Sequence, residues 1–138
     1  MATTHDAEII LKYYDMRREP ELRAARKFLI SEWNPATEDE YLAVANPTAP
    51  SDENRYFRQA TSYWELGAAM VLRGAVDPDL YFDTNGEGFA LYAKLSPFHE
   101  AHAKVRGPLM VNTAKMIEQF PRAKTIYGKM LERFTSKS

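Results

Sequence analysis

The chain has 138 residues, enough for one domain, and its 45% hydrophobic and 12% aromatic fractions are typical of a folded core rather than a disordered chain. Its 18 basic and 19 acidic residues give a formal net charge of −1, which argues against nucleic-acid binding, so we expect no nucleic-acid partner. Cysteine is absent, which excludes disulfides, zinc–thiolate sites and thiol nucleophiles.

The N-terminal third of the chain contains signals for three helices and one loop. The first residues lack a basic stretch followed by an apolar one, so we expect no secretory signal and a cytoplasmic location. Thr4 is a suitable N-cap residue for a first helix that ends near Met16. A second helix is predicted to start at Pro20 and to end at Asn34-Pro35. A capping box at Thr37–Glu40 opens a third helix, and a Pro-rich loop follows at residues 46–51.

Residues 52–73 are predicted to form one long helix at the centre of the domain. Apolar residues recur along it every three or four positions, which defines one helix face. From Leu66 onward the opposite side is apolar as well, so this half of the helix must be covered by other helices or by a partner chain. Gly74 is a typical residue after the last helical turn. The longest apolar run, residues 66–72, is far shorter than the roughly 20 residues of a membrane span, so we expect no span in this chain.

The second half of the chain continues with helical signals and shows no strand-like alternation of useful length. Ser96-Pro97 either kinks a helix or starts a new one. The other turns and helix starts fall at Asp77-Pro78, Asn85–Gly88, Gly107-Pro108, Met110 and Pro121. The sequence therefore predicts an all-α fold over residues 1–138, a single domain built as a compact bundle of six to eight helices around the central helix at about 52–73.

Two short segments contain metal-ligand residue types, and neither fits a known metal site. His99-Glu100-Ala101-His102 has three-residue spacing between its histidines and no third ligand. We expect His102 to be a hydrogen-bonded core residue, because it shares an apolar stripe with Phe98 and Val105. Asp83–Gly88 matches the first half of a calcium loop, but its twelfth position is Lys94 instead of a glutamate. We therefore predict no metal and no cofactor.

The leading functional hypothesis is a non-enzymatic protein-interaction or scaffold module that self-associates as a homo-oligomer, with its other protein partners unknown. No nucleophile elbow and no Gly-rich phosphate loop occurs in the sequence. The interface would use the surplus apolar residues on the far side of the central helix, which are Leu66, Ala69, Met70 and Leu72.

The alternative is a small-molecule-binding bundle, or an enzyme, with a pocket between the central helix and the break at Pro97. Helix breaks leave backbone groups that can meet a ligand. Glu65 has two interpretations, since a buried carboxylate needs a partner: a structural ion pair with an arginine such as Arg106, or a functional carboxylate at the pocket. The residues predicted to line this pocket are Tyr63, Trp64, Glu65, Tyr92 and His102.

The segments Tyr63-Trp64-Glu65-Leu66-Gly67 and 71–80 resemble the core of a family of small helical bacterial domains of unknown function. Its members share an aromatic–Glu helix, a Gly-x-(Ile/Val)-Asp turn, present here as Gly74-Ala75-Val76-Asp77, and a later helix that ends near an arginine, here Arg106. The resemblance covers about Asn54 to Arg106. The resemblance implies a helical fold. No activity is established for the family, so no catalytic role is carried over. Some relatives are attached to membrane-spanning segments.

Overall fold

A computed structural model describes residues 1–135, which form helices and no strands. The α-helices within this range are α1 (Thr4–Asp15), α2 (Pro20–Lys27), α3 (Glu38–Ala45), α4 (Asp52–Leu72), α5 (Pro78–Thr84), α6 (Glu87–Lys94), α7 (His99–Arg106), α8 (Val111–Gln119) and α9 (Pro121–Thr135). Short 3-10 turns at Met16–Arg18 and Ser96–Phe98 and a π-helical turn at Phe28–Glu32 connect some of them. The predicted all-α bundle is confirmed. The described residues contain nine α-helices rather than six to eight, because Ser96-Pro97 separates two helices instead of kinking one.

The first helix begins one residue earlier than predicted. Thr3, not Thr4, is the N-cap: its hydroxyl accepts a hydrogen bond from the Asp6 amide at 3.1 Å, and the Asp6 carboxylate accepts one from the Thr3 amide at 2.8 Å. This reciprocal pair is a capping box, which requires the acidic residue three positions after the cap. Among the helices of residues 1–135, none combines the length and apolar character needed to cross a membrane.

Helix α4 is the central helix, as predicted. The Ser51 hydroxyl caps its first turn by accepting a hydrogen bond from the Asn54 amide at 3.0 Å. After its last turn Gly74 adopts a φ of 74°, a left-handed conformation that glycine reaches without steric cost. The helix packs mainly against α2 and α8. Its buried residues are Phe57, Ala60, Tyr63, Trp64, Gly67, Ala68 and Val71.

Helix α1 crosses α4 through a pair of tyrosines. The Tyr13 hydroxyl donates to the Tyr63 carbonyl at 2.6 Å, the Tyr63 hydroxyl donates to the Tyr13 carbonyl at 2.7 Å, and the two rings stack 4.2 Å apart. Gly67 makes this close crossing possible. A Cβ at this position would lie 2.6 Å from the Tyr81 hydroxyl and 2.7 Å from the Tyr13 ring.

Two cationic side chains, Lys94 and Arg26, tie α2 and the π-helical turn after it to α6. The π-helical turn leaves backbone carbonyl groups outside the regular helical hydrogen-bond pattern. The Lys94 ammonium donates hydrogen bonds to the carbonyls of Leu29 at 2.7 Å and Ile30 at 3.2 Å, and to the Trp33 carbonyl. Burial lowers the pKa of Lys94 to about 8. One turn earlier, Arg26 forms a bidentate pair with Glu87, at 3.0 and 2.6 Å.

Candidate functional site

Tyr63 and Trp64, two of the predicted pocket residues, lie in the core under α1. Tyr63 stacks on Tyr13 and shares two hydrogen bonds with it. The Trp64 indole is only 1% exposed and packs so closely on α6 that a Cβ at Gly88 would lie 3.0 Å from its ring. The Arg17 guanidinium lies 5.0 Å from the centre of the Trp64 ring, a cation–π distance. Trp64 Nε1 is the one fully buried side-chain polar atom of residues 1–135 without a hydrogen-bond partner.

Glu65 reaches from α4 to the first turn of α8. Its carboxylate accepts hydrogen bonds from the amides of Asn112 at 2.8 Å and Thr113 at 2.9 Å, and from the Thr113 hydroxyl at 2.8 Å. The side chain therefore supplies the cap that Met110, the residue preceding this helix, does not provide. Arg106, the proposed ion-pair partner, instead donates to the Asn46 side chain at 3.2 Å. Glu65 thus has a structural partner, although it is not an arginine.

The two histidines of the candidate metal segment point to different neighbours. His99 stacks on Tyr92 with ring centres 4.1 Å apart, and His99 Nε2 lies 3.0 Å from the Tyr92 carbonyl. His102 is 6% exposed and contacts the Tyr41 hydroxyl through Nδ1 at 2.8 Å, which matches the expected hydrogen-bonded core residue. No group of three potential metal ligands occurs within residues 1–135.

The segment Asp83–Gly88, which resembles half of a calcium loop, uses its ligand residues for local contacts. Asp83 pairs with Arg122 on α9. Asn85 is 3% exposed, and its side-chain oxygen Oδ1 accepts a hydrogen bond from the Arg17 guanidinium at 2.9 Å. These contacts agree with a turn that joins α5 to α6.

Glu65 and His102, alone among the five predicted pocket residues, line a common cleft. The cleft has a volume of about 240 Å³ and lies between α3, α4, α7 and the connection from α7 to α8. Polar side chains of α4 and α7 form one part of its wall and apolar side chains the rest. Its lining residues are Ala45, Phe57, Arg58, Thr61, Ser62, Glu65, His102, Arg106, Pro108, Leu109 and Met110.

The hydrogen bond with Tyr41 determines which imidazole nitrogen of His102 carries the proton. Burial raises the pKa of the Tyr41 phenol, so the hydroxyl keeps its proton. Burial, together with the positive charge of Arg106, lowers the pKa of His102, so the imidazole is neutral near pH 7. If Tyr41 donates to Nδ1, the imidazole proton must reside on Nε2. Within the described residues, Nε2 has no hydrogen-bond partner, and it remains available as a donor.

A larger groove, of about 750 Å³, lies between α2 and α4. Leu66 and Met16 contribute to its walls and are each 45% exposed. Of the residues predicted for an interface, Leu66 is therefore open to solvent, whereas Ala69, Met70 and Leu72 are half-buried. The complete set of lining residues is Met16, Glu19, Leu22, Arg55, Arg58, Gln59, Ser62, Tyr63 and Leu66.

Sequence reasoning missed most of this groove because its second wall comes from the short segment between α1 and α2. Met16 and Glu19 belong to that segment, which carries no helical periodicity of its own. One signal is nevertheless present in the sequence. Leu66 continues the polar stripe of Arg55, Gln59 and Ser62 at helical spacing, and an apolar residue on a polar stripe marks an exposed contact.

The family model described as "Domain of unknown function (DUF4760)" matches residues 2–120 of the chain. No curated protein and no solved structure matches the chain.

Proposed function

This chain belongs to the DUF4760 family of domains of unknown function, and we propose that it is a protein-interaction module that self-associates through the groove between α2 and α4. The observation that carries the proposal is the exposure of Leu66 in a concave surface. Leu66 is a large apolar side chain that remains 45% exposed, on the same face of α4 as Gln59, Ser62 and Met70.

The groove offers a contiguous apolar surface rather than a single exposed side chain. Leu66 on α4 is opposed by Met16 and Leu22, which form the wall on the α2 side. Isolated exposed apolar residues are normal on soluble proteins, whereas adjoining ones in a concave site are typical of interaction surfaces. Burial of this surface releases ordered water and favours association.

The charges around the groove fit a second copy of the same chain. Glu19 is exposed on the α2 side, and Arg58 is exposed on the α4 side and makes no ion pair within residues 1–135. In a two-fold interface every contact occurs twice, so one surface must be complementary to itself. An acidic and a basic side chain on opposite walls satisfy this requirement, because Arg58 of each copy can approach Glu19 of the other.

The test is the mass in solution of the wild type and of two matched variants, measured by size-exclusion chromatography with light scattering. Leu66→Asp places a charge in the groove, and Val105→Asp places the same charge on α7 at a site that is also about half exposed, 49% against 45%. We expect a dimeric wild type, a monomeric Leu66→Asp and a dimeric Val105→Asp, because an unpaired carboxylate is costly to bury.

Two outcomes would overturn the proposal. A wild type that remains monomeric at every concentration tested would remove self-association. A Leu66→Asp protein that is folded by circular dichroism and still dimeric would place the interface outside the groove.

A further inference from the structure

We propose that the cleft lined by Glu65 and His102 binds a small organic anion, a carboxylate or phosphate carried on a compact apolar group. This cleft adjoins the self-association groove along α4: Arg58 and Ser62 line both, whereas Glu65, His102 and Arg106 line only the cleft. The inference does not depend on self-association.

The polar wall of the cleft supplies hydrogen-bond donors and little else. Arg58 and Arg106 bring two guanidinium groups, whose recorded contacts are with the neutral side chains of Asn54 at 3.0 Å and Asn46 at 3.2 Å. Neither arginine forms an ion pair within residues 1–135. A pair of arginines without carboxylate partners is the arrangement that binds carboxylates and phosphates most readily.

His102 and Ser62 add two neutral donors between these charges. With Tyr41 as the donor to Nδ1, His102 presents an Nε2–H that no described protein group accepts. The Ser62 hydroxyl likewise has no hydrogen-bond partner among the described residues, and it lines the same cleft. His102 is only 6% exposed, so its donor favours a ligand that brings an acceptor, and the exposed Ser62 hydroxyl is free to add a second hydrogen bond.

The one carboxylate in the lining does not repel an anion strongly, because Glu65 is already engaged. Both of its oxygens accept hydrogen bonds from the first turn of α8, where the helix dipole offsets part of its charge. With Glu65 engaged in this way, the two arginines dominate the electrostatic potential in the cleft.

The rest of the wall is apolar, which argues for an organic anion rather than a free inorganic one. Phe57, Ala45 and Leu109 are 5%, 2% and 6% exposed, and Pro108 completes this side. The volume of about 240 Å³ is below the usual range of drug-sized ligand pockets, so the apolar group must be compact, of the size of one ring.

The proposal is tested by titrating the isotope-labelled protein with phenyl phosphate and, separately, with inorganic phosphate, and following amide resonances by NMR. We expect saturable shifts at Ser62, His102 and Leu109, with tighter binding of phenyl phosphate. Arg106→Gln and Arg58→Gln should each weaken binding about tenfold, through loss of a charge-assisted contact. Arg73→Gln, which removes a charge from the exposed end of α4 outside the cleft, should leave binding unchanged.

The His102 ring gives an independent readout in the same samples. Because Arg106 lowers the pKa of His102, Arg106→Gln should raise this pKa in the free protein, which verifies that the variant is folded and that the two side chains are close. Phenyl phosphate should raise the His102 pKa in the wild type, since a bound anion favours the charged imidazole.

Three outcomes would overturn the proposal. One is the absence of saturable shifts at millimolar phenyl phosphate, and another is equal weakening by Arg73→Gln, which would indicate general electrostatic attraction. Equal affinity for inorganic phosphate would contradict the role of the apolar wall. Arg106 is outside the self-association groove, so the effect of Arg106→Gln on anion binding is separable from any change in oligomeric mass.

Discussion

Replacing Gly67 by alanine is the sharpest test of the way α1 is seated on α4. The added methyl group would lie 2.6 Å from the Tyr81 hydroxyl, 2.7 Å from the Tyr13 ring and still nearer to the Tyr13 hydroxyl. Both tyrosines are only 2% exposed, and Tyr13 is held by its stacked partner Tyr63. The rings therefore have no free space into which they can move, and α1 must shift as a whole.

The size of the effect follows from three opposing contributions. Alanine is a better helix former than glycine by about 1 kcal/mol, which favours the variant. Overpacking of a close-packed core costs roughly 1–3 kcal/mol. If Tyr13 moves away, its buried hydrogen bond to the Tyr63 carbonyl is lost at a further cost of about 1–3 kcal/mol. We therefore expect Gly67→Ala to lower the free energy of unfolding by roughly 3 kcal/mol, a large fraction of the usual 5–15 kcal/mol.

Gly128→Ala is the matched control, because Gly128 lies inside α9 and an added Cβ there meets nothing within 4 Å. This variant should gain about 0.5–1 kcal/mol from helix propensity alone. Urea denaturation followed by circular dichroism measures both variants against the wild type. A Gly67→Ala protein as stable as Gly128→Ala would show that the crossing of α1 and α4 is looser than described.

Three further predictions concern polar groups that are buried or half-buried. Glu65→Ala should destabilise the protein by roughly 2 kcal/mol in urea denaturation, because it removes the cap of α8, whereas Glu118→Ala on the exposed side of α8 should change stability by less than about 0.5 kcal/mol. The pKa of Lys94 is about 8 in the folded protein and 10.5 for the free side chain. Between these pH values the unfolded chain keeps a proton that the folded protein has released, so the free energy of unfolding should rise with pH. Lys94→Met should flatten that rise. The pKa of His102 is lowered below 6.5, so the unfolded chain binds a proton that the folded protein does not, and stability should fall as the pH drops below about 6.5; His102→Asn should reduce the loss in thermal melts.

The extent of α4 was predictable because it depends on local information. The 3.6-residue spacing of apolar positions and the stop at Gly74 are properties of adjacent residues, and the helix ends at Leu72, one residue from the expected position. The burial of His102 was predicted from a stripe that is only partly right, because Phe98 is 8% exposed whereas Val105 is 49% exposed.

The partners of the candidate site residues were not predictable, because they come from distant parts of the chain. The groups that bind Glu65 are 47 and 48 residues away, and Tyr41 is 61 residues from His102. Periodicity shows which side of a helix is apolar, but not which other helix covers it. For this reason the sequence grouped Tyr63 and Tyr92 in one pocket, whereas Tyr63 lies against α1 and Tyr92 lies near Tyr127 of α9.

The contact between the π-helical turn at Phe28–Glu32 and Lys94 should couple the length of this turn to the residue at position 94 among family members. Such a turn arises when one residue is added to an α-helix, and the carbonyls displaced by the addition are those that Lys94 binds. Deletion of the added residue would restore the regular helix and remove the Leu29 and Ile30 carbonyls as acceptors of the Lys94 ammonium. In an alignment of family members, sequences one residue shorter in this turn should therefore carry a neutral side chain at position 94.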